Sequence, residues 1–189
     1  LANTDVEILK HHLKKQGESI WKFANGQDSS LVEPVSEGNK GYGNSTTIAF
    51  DVTDENTAKM ILLSLCETVA SRLREDSQKA QMVSVSIKNH ELKTVSHQKI
   101  MPAPTNITGE IYRAACQLFE ELWDQSPIRL LGVHTGKLSG EESFRQLSLF
   151  DKADYEKMER MDKAVDKIRK KFGSDAIMRP SFLDNPKVG

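Results

Sequence analysis

The sequence predicts an α+β domain in which four antiparallel strands carry two helices on one face. Three observations carry this. Residues 81–89 (QMVSVSIKN) alternate cleanly, with Val83, Val85 and Ile87 pointing one way and Ser84, Ser86 and Lys88 the other. Residues 55–75 repeat Ala58, Ile61, Leu62, Leu65, Val69 and Leu73 at helical spacing. Segments of these two kinds follow one another in the order β-α-β-β-α-β, which is a ferredoxin-like order of elements.

Taken from the start, residues 5–15 and 17–25 read as two short helices broken at Gly17. Val6, Leu9 and Leu13 share one face, followed by Ile20, Trp21 and Ala24; Asp5 or Thr4 caps the start and Gly26 stops the end. Residues 27–44 hold Gly38, Gly41 and Gly43 beside Pro34, Asn39 and Asn44, a linker composition. Residues 45–53 (STTIAFDVT) are rich in β-branched types and read as the first strand. Asp54 caps the helix over 55–75, and 81–89 is the second strand. A turn at Asn89-His90-Glu91 leads to a third strand over 92–101. Thr105 or Asn106 opens a helix to Trp123, with Ile111, Ala115, Leu118 and Leu122 inward, and 127–135 (PIRLLGVHT) is the last strand. After Gly140 comes a linker, then a polar amphipathic helix over 153–172 whose apolar stripe is Met161, Val165, Ile168 and Phe172, stopped by Gly173. The expected divisions are 1–26, 27–44, 45–138 and 139–189.

Composition narrows the function classes. The chain has 189 residues, 38% of them apolar and 28% charged, which suits a globular domain with appendages. No apolar run approaches the roughly 20 residues of a membrane helix, so no membrane partner is expected. The chain begins at Leu1 and reads as an excised, monomeric fragment. A net charge of −1 gives no nucleic-acid signal by itself, so any such binding must come from local arrangement. Cys66 and Cys116 each lie in an apolar helical stretch and read as buried free thiols. His11 and His12 are adjacent, hence about 100° apart on a helix and a poor chelate. No metal site and no cofactor are expected.

Catalysis finds no foothold. There is no G-x-x-x-x-G-K-[ST] loop, no D-x-D or D-E pair on a strand and no local nucleophile–base set. Glu120-Glu121 and Glu141-Glu142 fall on a helix and in a linker, where carboxylates are solvated.

Two segments invite a binding role. Two helices on one face leave the other face of the sheet bare, to be either solvated or a binding surface. Its candidates are Ser84, Ser86 and Lys88, then Lys93, Thr94, Ser96, His97, Gln98 and Lys99, then Arg129 and His134. Hydroxyl, amide and cationic groups without stacking aromatics suit the phosphates of a duplex read without sequence preference. The second segment is Gln146-Leu147-Ser148-Leu149-Phe150, of the form Q-L-[SD]-L-F. Its three apolar anchors behind a polar lead suit an extended peptide in a preformed groove, or a segment packed on its own domain.

QLSLF is similar to the peptide by which bacterial proteins bind the replicative sliding clamp. IRLLGVHTGKLSGEESFRQLSLFD and VSVSIKNHELKTVSHQKIMPAPTNITGEIYRAA resemble the little-finger domain of Y-family translesion DNA polymerases of the DinB (polymerase IV) and UmuC types, also called the impB/mucB/samB family. LANTDVEILKHHLKKQGESIWKFANGQD resembles the end of the preceding thumb, and MDKAVDKIRKKFGSDAIMR the tail of Gram-positive members. The resemblance spans nearly the whole chain.

It implies a division of labour. Palm and fingers, with their metal-binding carboxylates and two magnesium ions, perform nucleotidyl transfer and are not in this chain, which should be inactive alone. The little finger lays its open face on primer–template DNA. Residues 1–26 would be thumb, 27–44 linker, 45–138 little finger, and 139–189 clamp peptide and tail helix. Asn44, Ser45 and Thr46 match family positions that contact template phosphates; Thr94, Ser96, His97 and Gln98 match its T-V-T-R-S; Arg129 and His134 match basic positions of the last strand. His97 stands where the family has Arg and Gln98 where it has Ser, and a mostly neutral His attracts phosphate less. Clamp contacts would fall on Gln146, Leu147, Ser148, Leu149 and Phe150. The implied setting is the bacterial cytoplasm, at the nucleoid. A protein-interaction adaptor without DNA binding is the alternative, against which stands the lack of aromatic anchors on the open face.

Overall fold

The structure is a computed structural model that describes residues 1–31, 38–140 and 154–180. The chain forms two compact units, Leu1–Gly38 and Asn39–Gly189.

The first unit holds α1 (Val6–Leu13) and α2 (Lys15–Ala24). Asp5 caps α1 by accepting the Glu7 amide at 2.9 Å, and Gly26 ends α2 at φ 70°. The break falls at Lys14, with φ 52°, and not at Gly17. Gly17 lies inside α2, where a Cβ would stand 2.2 Å from the Leu9 carbonyl oxygen. Its role is close approach of the two helices, not a stop. It is also the buried residue of α2, while Ile8, Leu13 and Phe23 remain exposed.

The second unit contains β1 (Gly41–Val52), α3 (Glu55–Glu75), β2 (Gln78–Asn89), β3 (Thr94–Thr105), α4 (Thr108–Leu122), β4 (Ile128–Gly140) and α5 (Tyr155–Phe172). The expected order of elements is present. All strand pairs are antiparallel and the sheet order is β1-β4-β2-β3, so β4 and β2 are central. Alternation along β2 holds: Val83, Val85 and Ile87 are buried.

The apolar repeat of 55–75 is buried throughout, from Ala58 to Leu73. Asp54 caps α3 through the Thr57 amide at 2.8 Å. α3 packs on β1, β4 and β2, and α4 on β2 and β3. Phe119 joins this core and stacks on Trp123 at 5.2 Å between ring centroids. Cys66 is buried and Cys116 half-buried, both free thiols.

Three departures from the expected elements have physical causes. β1 starts at Gly41, inside the stretch of linker composition, because Tyr42 anchors it: the ring is buried and its hydroxyl bonds the Asp76 carboxylate at the end of α3. β3 runs on through Pro102 and Pro104 to Thr105. Between Ile100 and Thr105 the ladder with β2 is irregular, and an edge strand tolerates proline at such a bulge. α4 begins at Thr108 rather than behind Thr105 or Asn106. The Thr105 hydroxyl accepts the Ile107 amide at 3.1 Å and closes the end of β3. The Thr108 amide goes instead to the Asp162 carboxylate, on α5, at 2.8 Å.

That contact sets the orientation of α5. Of its apolar stripe Met161, Ile168 and Phe172 are exposed and Val165 is half-buried, and Asp162 is its buried residue. The cause is Arg74 on α3, buried and bound by two carboxylates of α5. An unpaired buried guanidinium costs more than a few partly exposed apolar side chains.

Candidate nucleic-acid interface

The sheet register decides which side chains share the open face. One row across it is Gly43, His134, Ser84 and Gln98. The next is Ser45, Gly132, Ser86 and Ser96, and the third Thr47, Leu130, Lys88 and Thr94. The rows between them belong to the helix side, since Val133 and Val85, or Leu131 and Ile87, are their buried central members.

At the middle of the open face lies a depression of about 360 Å³, edged by Ser45, Ser84, Ser86 and His134. Glycine makes it. A Cβ on Gly132 would lie 2.6 Å from the Ser86 hydroxyl and 3.2 Å from the Ser45 Cβ. The His134 ring lies over β1, its Nδ1 3.0 Å from where a Cβ on Gly43 would be. Hydroxyls, an imidazole and bare peptide backbone thus converge on a hollow without a Phe, Tyr or Trp ring. Such a surface offers donors to an anionic oxygen at close range and has no large aromatic ring for a base to stack on.

The same register divides the expected set between the two sides of the sheet. His97 pairs with Val85 and Lys99 with Val83, so both stand on the helix side of the edge strand β3. Lys99 Nζ donates to the Gln117 side chain of α4 at 3.0 Å, which confirms its side. Consecutive residues of a strand cannot share a face, so the six candidates between Lys93 and Lys99 divide. Asn44 and Thr46 pair with Val133 and Leu131, in the helix-side rows of the other edge strand, and Asn44 also borders the hollow. Lys93 precedes β3, and its ammonium meets Glu91 at 2.7 Å. Arg129 sits at an irregularity of β4, between Leu130, paired with Lys88, and Ile128, paired with Asn89. Its guanidinium lies 3.7 Å from the Asp51 carboxylate, both half exposed. Ser45, Ser84, Ser86, Lys88, Thr94, Ser96, Gln98 and His134 are the expected residues that the register brings to one face. The glycines of the hollow were missed; a Gly inside a strand pattern signals close backbone approach.

The titratable groups away from this face serve the fold. Burial, then the hydrogen bond to Asp76, pushes the Tyr42 hydroxyl up. Burial also pushes both the Cys66 and Cys116 thiols up, which makes them poor nucleophiles. Among the described residues no three His, Cys, Asp or Glu side chains group as a metal site. None of the described helices is long and apolar enough to cross a membrane. Gln146 to Phe150 lie outside the described residues.

This fold and hollow define an α+β domain with one covered face and one presented face. The chain belongs to the impB/mucB/samB family, whose C-terminal domain matches residues 39–149. It is similar to DNA polymerase IV of Clostridium acetobutylicum, 38% identical over 97% of this chain and 46% of that protein. It is also similar to DNA polymerase IV of Acetivibrio thermocellus, at 35% identity over 98% of this chain and 47% of that protein. DNA polymerase IV 2 of Bacillus subtilis is 34% identical over 97% of this chain and 45% of that protein. The chain therefore spans about half the length of the curated relatives it matches. A solved structure titled post-insertion binary complex of Dbh DNA polymerase aligns with a TM-score of 0.46 and 18% identity, over 71% of this chain and 39% of that one.

Proposed function

We propose that this chain is the C-terminal DNA-binding part of an error-prone translesion DNA polymerase. The observation that carries the proposal is the glycine-floored hollow of the open face, with Ser45, Ser84, Ser86 and His134 at its rim. Family membership supports the phosphate backbone of primer–template duplex as the ligand of this surface. Hydroxyls and bare peptide groups bind phosphate oxygens without reading bases, as a polymerase that must pass any sequence requires. With few cations on this face, binding by the fragment is weak and salt-sensitive.

In this reading nucleotidyl transfer, with its magnesium, belongs to the remainder of the polymerase, and the fragment incorporates no nucleotide. Gln146 to Phe150 tether the enzyme to the bacterial sliding clamp and raise its local concentration at the primer terminus. The setting is the bacterial cytoplasm, at the nucleoid.

Fluorescence anisotropy with a labelled primer–template duplex at several salt concentrations tests the DNA reading. Affinity should fall as salt rises and should not depend on sequence; no binding at low salt would refute it. Clamp affinity should fall by more than tenfold on changing Gln146, Leu149 and Phe150 to Ala, because anchors of a groove-bound peptide carry most of its binding energy. Unaltered affinity would remove the tether from the proposal.

A further inference from the structure

α5 lies beyond residues 39–149, the reach of the family's C-terminal domain, yet it docks on that domain through an unusual set of contacts. Arg74 on α3 is the centre. Its Nε donates to Asp166 Oδ2 at 2.6 Å and its Nη2 to Asp166 Oδ1 at 3.0 Å, a two-pronged pair. Its Nη1 reaches Asp162 Oδ2 at 3.2 Å and the Asn106 carbonyl at 2.7 Å. The same Asp162 oxygen accepts the Thr108 amide at 2.8 Å and so caps α4 from another element. The Arg74 side chain is 5% exposed and that of Asp162 6%. Around this centre Arg169 pairs with Glu67 at 3.0 Å and Lys170 with Glu75 at 3.3 Å.

Apolar packing is the smaller part of the same contact. No residue of α5 belongs to the hydrophobic core cluster or packs against it; Met161, Ile168 and Phe172 are exposed, and Tyr155, Met158 and Val165 are half-buried. The helix is thus held by ions and hydrogen bonds, while the sheet and α3 and α4 are held by a continuous apolar core. Elements with few buried apolar contacts open at lower free energy than the core. When α5 leaves, water reaches Arg74, Asp162 and the first amide of α4, so no charge stays buried without a partner.

We propose that α5 is an electrostatic latch, a helix that docks and undocks as a unit about Arg74 while the four-stranded domain stays folded. The conformational change it controls is exposure of the outer side of α3 and of the first turn of α4. The latch is independent of whether the open face binds DNA.

Native-state hydrogen exchange, read by mass spectrometry on the full 189-residue chain, tests this. Amides of Tyr155–Phe172 should exchange at least about tenfold faster than those of β2 in the unaltered protein. The double variant Asp162→Asn with Asp166→Asn should speed α5 by about a further tenfold and leave β2 unchanged. A second variant, Lys170→Ala, removes an outer pair only and should change α5 exchange less than twofold, as exposed pairs contribute little. Equal exchange of α5 and β2 in the unaltered protein would show one cooperative unit and overturn the latch. So would a double variant in which β2 loses protection together with α5, or one in which α5 exchange does not change.

Discussion

The face of the sheet beneath α3 and α4 and the face turned away from them share four strands and one register, yet obey different rules. On the covered side Val83, Val85, Ile87, Leu131 and Val133 interlock with α3 and α4, and each is at most 3% exposed. On the presented side the rows carry Ser, Gly, His and Gln, then Thr, Leu and Lys in the third, and the central residue Gly132 has no side chain at all. A core is specified by volume, so its residues tolerate little change. A surface for phosphate is specified by donors and access, so its residues can be small and need not fill space. In this domain a substitution should therefore affect either stability or binding according to its row.

Substitutions can break that separation, and the largest expected effect is on the covered side. Leu118→Ala, at a site 1% exposed, should cost about 3 kcal/mol of stability by urea denaturation. Its effect on DNA binding should come only through unfolding. A loss below about 1 kcal/mol would mean that α4 is not packed as described.

Filling the hollow comes next. Gly132→Val should lower affinity for primer–template duplex about tenfold while costing about 1–3 kcal/mol, since its Cβ meets the Ser86 hydroxyl and the Ser45 Cβ. A large stability loss with unchanged affinity would put the hollow in the structural class. The smallest effect sharpens the comparison between rows. Lys88→Ala, on the open face, should reduce the salt slope of binding by about 1. Lys99→Ala, tied to Gln117 on the helix side, should leave that slope unchanged in the same titration.

The sequence made the covered side legible and left the presented side half-read. Core positions repeat with a period that burial imposes, so Ala58 through Leu73 and Val83 through Ile87 could be read in advance. The open face has no such periodicity on an edge strand, where both sides of β3 touch water. His97 and Lys99 therefore read as neighbours of Ser96 and Gln98 although the pleat separates them. The hollow depends on Gly132 lying between Ser45 and Ser86 across the ladder, a pairing set by tertiary register and invisible along the chain. For α5 the sequence showed the helix and its Gly173 stop but not which side docks: that is set by Arg74, eighty-eight positions from Asp162. Charge pairing at long range leaves no periodic mark.

The central claim is that the open face binds the duplex backbone. The most direct measurement is duplex affinity, by anisotropy at low salt, of Ser84→Asp with Ser86→Asp beside a control carrying Thr46→Asp on the helix-side row. Two carboxylates set into the hollow should repel phosphate and lower affinity more than about tenfold. The control should stay within about threefold, because screening weakens a charge that stands off the contact surface. Equal affinity for both variants, with both folded, would contradict the account.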